Sequence, residues 1–166
     1  GDGDDLFFIY EGEGTLISSF GQMDFRAGDF VIVPRGILHR FVLEPNATQH
    51  WLWVESSTTI QPPAHYRNST GQLRMDAPYT HRDFVTPQLG PAMNGDGPRQ
   101  QITKRRNQFT SHQHDSDPMD AVGWDGTIYP YVFPMDLFSP KTGHVHLPPT
   151  AHATFSTEHA LICSFV

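Results

Sequence analysis

The sequence reads Gly28-Asp29-Phe30-Val31-Ile32-Val33-Pro34-Arg35-Gly36-Ile37-Leu38-His39 in the stretch that is most informative about the fold. Turn residues there enclose a short apolar run. Gly28 and Asp29 predict a tight turn, and the four apolar residues that follow predict a buried strand. Pro34 ends that strand, since it has no backbone N–H to donate to a neighbour. Gly36 can adopt the positive φ that a side chain resists, and His39 then begins the next strand.

The spacing of this stretch, Gly-x5-Pro-x-Gly-x2-His, resembles the second motif of the cupins. Upstream, Asp5-x6-Gly12 stands where the first cupin motif has Glu-x6-Gly. The resemblance implies an all-β, cupin-type β-roll or jelly roll. A cupin metal site also needs a His-x-His pair, which would fall at or before residue 1. We therefore interpret His39 as a histidine that is hydrogen-bonded at the barrel rim, in preference to a metal ligand.

Short β-rich runs separated by turn residues recur along the 166-residue chain, in which Gly and Pro occur 14 times each. This pattern is typical of a sandwich or barrel. We predict an N-terminal cupin β-roll over residues 1–56, an irregular connector over 57–100, and β segments over 101–166 that open a second cupin domain. The strands predicted for the first part are residues 6–10, 15–18, 22–25, 30–33, 39–43 and 49–56. Residues 102–110 resume the strand-like alternation after the connector.

The charge of the chain disfavours several kinds of partner. The net charge is −7, and the 11 Lys and Arg residues are scattered apart from one basic run at residues 104–106. We expect no nucleic-acid partner and no membrane partner, since phosphate backbones and anionic lipids repel an acidic protein. No apolar run approaches the roughly 20 residues that span a bilayer. The single cysteine, Cys163, indicates no disulfide framework and favours a reducing, cytoplasmic location.

The second half contains a more specific segment, Met119-Asp120-Ala121-Val122-Gly123-Trp124-Asp125-Gly126-Thr127-Ile128-Tyr129-Pro130-Tyr131. With residues 77–84 and the closing residues 161–166, it resembles homogentisate 1,2-dioxygenase across essentially the whole chain. The resemblance implies a two-cupin homo-oligomer of aromatic catabolism, which opens the ring of a small aromatic acid substrate with Fe(II) and O2. The chain begins without Met and ends inside an apolar run, so we expect both ends to be cut.

The same resemblance supplies expectations about catalysis. The iron-binding segment of the family, with two histidines and one glutamate, is expected downstream of Val166. We therefore predict no complete metal site in this chain, and no activity of the 166 residues alone. The family has a catalytic His where this sequence has Asp125, which makes Asp125 a candidate catalytic residue that accepts a proton or a hydrogen bond. An Asp-Gly pair is equally typical of a turn.

Other residues are candidates for binding, each with a simpler alternative. Trp124, Tyr129 and Tyr131 are candidates for lining a substrate pocket, although packing in the core explains them too. His144 and His146 share one strand face, and His152 follows them, with Glu158 as a possible carboxylate ligand. Pro148 and Pro149 break that strand, so His152 need not converge on the pair. The polar stretch at residues 112–117 predicts a solvated loop, while Trp51 and Trp53 are most simply core aromatics.

Two alternatives to the dioxygenase stay open at this level. The protein could be a metal-free bicupin that acts as a binding or assembly module without catalysis. It could also be a different metal enzyme that uses His144, His146 and His152.

Overall fold

The computed structural model describes residues 1–88, 90, 97–120, 128–140 and 149–165. Within them the regular structure is almost entirely β, and the helices are 3-10 turns of three or four residues. None of these described helices has the length and apolarity to cross a membrane. The strands are β1 (Asp4–Glu11), β2 (Glu13–Ser18), β3 (Gly21–Arg26), β4 (Asp29–Val33), β5 (His39–Leu43), β6 (His50–Ser56), β7 (Arg99–Arg105), β8 (Gln108–His114), β9 (Tyr131–Pro134), β10 (Ala153–Ser156) and β11 (Leu161–Cys163).

Strands β1–β6 make up the first block of the chain, in which two antiparallel sheets face each other. One sheet has the strand order β6-β1-β4-β9 and the other the order β3-β2-β5. Successive side chains of a strand point to opposite faces, so every second residue of β1 and β4 enters the space between the sheets. The core that fills this space consists of Phe7, Ile9, Leu16, Met23, Phe25, Val31, Val33 and Val132. The predicted all-β, cupin-type architecture is confirmed.

The turns of residues 28–39 form as the sequence predicts. Gly28 and Gly36 have φ values of 91° and 86°, in the region that favours glycine. The carboxylate of Asp29 accepts the backbone N–H of Arg26 at 2.9 Å and closes the turn before β4. All five residues of β4 are buried, and the strand ends at Val33, directly before Pro34.

The outer face of the four-stranded sheet is also covered. Leu6, Phe30 and Ile32 point to this side and pack against aromatic residues from the connector and from the last third of the chain. Tyr79 of the connector is buried there, and its hydroxyl donates to the carbonyl of Thr154 at 2.6 Å. The connector also exchanges two backbone hydrogen bonds with β10 between Gln61 and Ser156, at 2.8 and 3.1 Å. The inner strand β4 of this sheet is therefore buried on both faces.

Strand β9 joins the first block, although it comes from the last third of the chain. It pairs antiparallel with β4, and Phe30 lies opposite Phe133 while Val31 lies opposite Val132. Val132 points into the barrel core, and Phe133 points into the outer cluster. The division of residues 101–166 into a second cupin domain stays a prediction, but four of those residues complete the first sheet.

Residues 102–110, where the sequence predicts strand-like alternation, belong to a hairpin of two strands. Strands β7 and β8 pair from Arg99 opposite His114 to Arg105 opposite Gln108. The turn between them uses Arg106 and Asn107, whose φ values are 51° and 61°. Two consecutive positive φ values are the mark of a type I′ turn, and Asn tolerates this conformation better than most residues. The alternation alone does not reveal this turn, because a turn without glycine interrupts the pattern only weakly.

Candidate functional site

The two residues at cupin ligand positions are each engaged by hydrogen bonds within the protein. Asp5 on β1 accepts the indole N–H of Trp53 at 2.8 Å. His39 on β5 has its Nδ1 atom 2.9 Å from the carbonyl oxygen of Ile37. Burial raises the pKa of Asp5, while the hydrogen bond from Trp53 partly opposes that rise. His39 therefore makes a hydrogen bond, as the sequence predicts, and its place at the barrel rim stays a prediction.

A lysine places a positive charge close to Trp53, the hydrogen-bond partner of Asp5. The ammonium of Lys104 on β7 forms an ion pair with the Oε2 atom of Glu55. It also lies 5.9 Å from the ring centroid of Trp53, within cation–π range. At the tip of the hairpin, the carboxylate of Asp2 accepts the backbone N–H groups of Arg106 and Asn107 at 2.6 and 2.7 Å. The β7–β8 hairpin is thus held against the first strands by charge.

Replacing Lys104 with methionine is expected to lower the stability of the fold. The Oε1 atom of Glu55 is buried without a hydrogen-bond partner, so the substitution would leave the whole carboxylate without a donor in this part of the structure. An unpaired, partly buried charge is costly, whereas removing both partners costs less. We therefore expect the urea midpoint of Lys104→Met to fall, and the midpoint of the double variant with Glu55→Gln to recover.

The matched control for this substitution is Arg105→Met, which changes the neighbouring exposed cation on β7. Equal urea midpoints for Lys104→Met and Arg105→Met would contradict the ion-pair interpretation.

The described residues do not fit an Fe(II) triad of two histidines and a carboxylate. Within the ranges that the structure covers, no three His, Cys, Asp or Glu side chains form a group that could hold a metal ion. His152 has its Nδ1 atom 3.3 Å from the carbonyl of Ser164, and its ring lies 4.7 Å from that of Phe165. The other candidates, Trp124, Asp125, His144 and His146, lie outside the described residues.

A cleft lies on the outer side of the four-stranded sheet, where Tyr129 and Tyr131 are placed. Its volume is about 530 Å³, and both tyrosines line it. Tyr131 donates its hydroxyl to the carbonyl of Ile60 at 3.3 Å, and burial raises its pKa well above the ordinary value. Tyr129 is 41% exposed, so it forms part of the mouth. The structure therefore brings these two residues together at one cavity, and a role in substrate binding stays a prediction.

The buried acid Asp4 supports this cleft, although it was not among the residues predicted from the sequence. Its two carboxylate oxygens accept the backbone N–H groups of Arg35 at 2.9 Å and of Ile60 at 3.0 Å. These bonds tie the β4–β5 turn and the connector to the start of β1. The alternation with Leu6 places Asp4 on the outer face, but only the covering connector reveals that this face is buried.

A second buried acid, Asp117, lies in the stretch predicted to be a solvated loop. The structure instead extends β8 to His114 and buries Asp117, whose side chain is 2% exposed. Its Oδ2 atom lies 3.3 Å from Nη1 of Arg40 and 3.5 Å from Nε of Arg99. The acid therefore joins the second sheet to the hairpin. His112 and His114 belong to the strand and do not form a loop.

One of the expected core aromatics is at the surface. Trp53 is 54% exposed, because it lies on the edge strand β6. The ammonium of Lys104 lies over its ring, and its indole N–H donates to Asp5. Trp51 is partly buried and packs edge-on against Phe25 and Phe41 of the barrel core.

Comparison with known proteins identifies the framework that carries these features. The family described as homogentisate 1,2-dioxygenase N-terminal matches residues 1–135, a range that ends after β9 and so includes both sheets of the barrel. The chain belongs to this family. The resemblance seen in the sequence is therefore confirmed, and Asp5, Asp117 and Tyr131 all lie within the matched range.

The relatives within and around this family are dioxygenases by name. A protein of Saccharolobus solfataricus named "Putative dioxygenase SSO1533" is 33% identical over 165 residues, which are 99% of this chain and 42% of that protein. The homogentisate 1,2-dioxygenases of Bradyrhizobium diazoefficiens and of Rhodopseudomonas palustris strain BisA53 are each 25% identical over 139 residues, which are 84% of this chain and 30% of those enzymes. The chain thus spans less than half the length of these relatives.

Proposed function

We propose that this chain is part of an Fe(II)-dependent dioxygenase that cleaves the ring of a small aromatic acid, of the homogentisate class, with O2. The observation that carries the proposal is the family match over residues 1–135. The names of the relatives supply the reaction class, and the names of the Bradyrhizobium and Rhodopseudomonas enzymes supply homogentisate as the substrate. The iron ligands are proposed to lie downstream of Val166, since these relatives are more than twice as long as the matched segment.

The first barrel, which consists of β1–β6 and β9, is proposed to act as a structural framework that binds no iron. At its mouth Asp5 is bonded to Trp53 and Glu55 is paired with Lys104, so both carboxylates already have protein partners. The indole N–H donates to one oxygen of Asp5, and the ammonium pairs with one oxygen of Glu55. The residues that bind, orient and shield an aromatic acid are proposed to come from the outer side of the sheet and from the segment that contains Asp125.

Further parts of the proposal rest on the family resemblance. Asp125 is proposed to take the place of the catalytic histidine of the family, as a proton or hydrogen-bond acceptor for a phenolic hydroxyl. Trp124 is proposed to line the substrate site beside it. A cytoplasmic location and a homo-oligomeric assembly are also predictions.

Oxygen uptake by the full-length protein tests the proposed function. The protein, loaded anaerobically with Fe(II), is mixed with homogentisate, and O2 consumption is followed with an electrode while the ring-cleavage product is identified by mass spectrometry. We expect one O2 consumed per homogentisate cleaved, and no uptake by the 166-residue chain alone. The variant Asp125→Asn is expected to lower kcat, with Asp115→Asn as its control.

Two results would contradict the proposal. The full-length protein could bind no iron and consume no oxygen, and the metal-free binding or assembly module would then be the better description. Alternatively, oxygen uptake by the isolated chain would place the iron within these 166 residues, where His144, His146 and His152 are the candidates.

A further inference from the structure

The cleft beside Tyr131 has the size and the lining of a small-molecule site. Ligand sites usually measure about 300–1,000 Å³ and combine apolar walls with a few polar groups, and this cleft measures about 530 Å³. Its walls come from four parts of the chain: Asp4 of β1, the turn after β4, the connector, and residues 128–131. Asp4 also bonds the turn after β4 to the connector, so hydrogen bonds hold these walls together.

The floor of the cleft is aromatic. The rings of Phe84 and Tyr131 both line it, with centroids 5.5 Å apart and planes at 70°. Both residues are partly buried and pack against the outer core cluster. The hydroxyl of Tyr131 is committed to the carbonyl of Ile60. Tyr131 therefore offers its ring, and not its oxygen, to anything in the cleft, and aromatic rings pack well against such a pair.

The rim of the cleft carries an arginine and a histidine. Arg35 and His81 both line it and both are exposed. In the part of the chain that the structure describes, the guanidinium of Arg35 forms no ion pair. Asp4 lines the cleft as well, and its two oxygens accept the backbone N–H groups of Arg35 and Ile60. An arginine above an aromatic floor is suited to a carboxylate attached to a ring.

We propose that this cleft binds a small aromatic carboxylate, with the ring against Phe84 and Tyr131 and the carboxylate at Arg35, assisted by His81. The ligand class rests on the proposed function, but the site does not require the iron or its ligands. The cleft is thus a place where the aromatic acid is held by residues of the first barrel and its connector.

Binding to the full-length, iron-free protein tests this inference. With EDTA present and oxygen excluded, phenylacetate is titrated by calorimetry, and 2-phenylethanol serves as the matched probe that lacks the carboxylate. A charge-assisted hydrogen bond contributes about tenfold or more in affinity. We expect phenylacetate to bind at least about tenfold more tightly than 2-phenylethanol, and Arg35→Gln to weaken phenylacetate about tenfold.

The control variant is Arg82→Gln, which removes an exposed cation from the residue next to His81 but outside the lining of the cleft. We expect it to bind phenylacetate as the unaltered protein does. Thermal melts of both variants confirm that they fold, which is expected because both side chains are exposed.

Photolabelling locates the ligand independently of these affinities. Irradiation with 4-azidophenylacetate is expected to label peptides that contain Phe84 or Tyr131, and excess phenylacetate is expected to suppress the label. Label that falls elsewhere, or equal affinities for Arg35→Gln and Arg82→Gln, would overturn the inference. Because the measurement needs neither iron nor oxygen, a protein that binds here but cleaves nothing would contradict only the proposed function. A protein that cleaves homogentisate but labels elsewhere would contradict only this site.

Discussion

Replacing Phe133 with alanine is expected to lower the free energy of unfolding by about 4 kcal/mol. Phe133 is fully buried, and its ring meets those of Tyr79, Phe84 and Phe155 at centroid distances of 5.1, 5.0 and 5.9 Å. Removing the ring loses its transfer free energy and leaves a cavity that rigid neighbours fill only in part. Urea denaturation followed by tryptophan fluorescence measures the change.

Phe109→Ala is the matched control for this substitution. It deletes the same side chain from β8, where the ring is 67% exposed, and we expect a change within about 0.5 kcal/mol. A loss for Phe133→Ala no larger than the loss for Phe109→Ala would show that β9 is not an integral part of the first sheet. The expected loss instead means that the first barrel depends on residues of the last third of the chain.

The local order of the first block could be predicted from the sequence because it depends on neighbouring residues. Gly28 and Gly36 take the positive φ values that their positions require, and Pro34 marks the end of β4. These effects act within a few residues, so the pattern is sufficient. The hairpin turn at Arg106 and Asn107 could not be predicted in this way, because it lacks the glycine that usually marks such a turn.

The long-range partners could not be predicted, because nothing in a single sequence fixes them. The pairing of β9 with β4 joins residues about a hundred positions apart. Lys104 belongs to an ordinary basic run until the fold places it beside Glu55. Tryptophan is a residue type expected in a core, and Trp53 is exposed because it lies on the edge strand β6. Such contacts depend on the order of the strands in each sheet.

The residues of the candidate site could also be predicted only in part. Tyr129 and Tyr131 could be named because they are aromatic residues next to a family motif, and they do line one cleft. Arg35 and His81 could not be named, since an exposed arginine after a proline and a histidine in a connector have no distinguishing pattern. They line one cleft because the fold brings the β4–β5 turn and the connector together beside Asp4, which bonds to both.

Asp117→Asn is expected to lower the free energy of unfolding by about 3 kcal/mol. Asp117 is almost fully buried, and its carboxylate faces two guanidinium groups, from Arg40 and Arg99. Its Oδ1 atom also accepts the backbone N–H of Met119 at 3.0 Å. The amide keeps the shape of the side chain but removes the charge, so both arginines lose their ion pair with Asp117. We place the loss at the lower end of the range for buried pairs, since each arginine is about one-third exposed and keeps some contact with water.

The control and the salt dependence separate this ion pair from a general surface effect. Asp115→Asn alters an exposed acid two residues away, and we expect a change within about 0.5 kcal/mol. A buried pair is screened little by ions, so the loss for Asp117→Asn should persist at high salt. In a double-variant cycle with Arg40→Gln, a coupling free energy near zero would mean that the two charges do not stabilise each other. A clear coupling would instead show that the hairpin is held to the second sheet through this carboxylate, in a segment whose sequence predicts only a solvated loop.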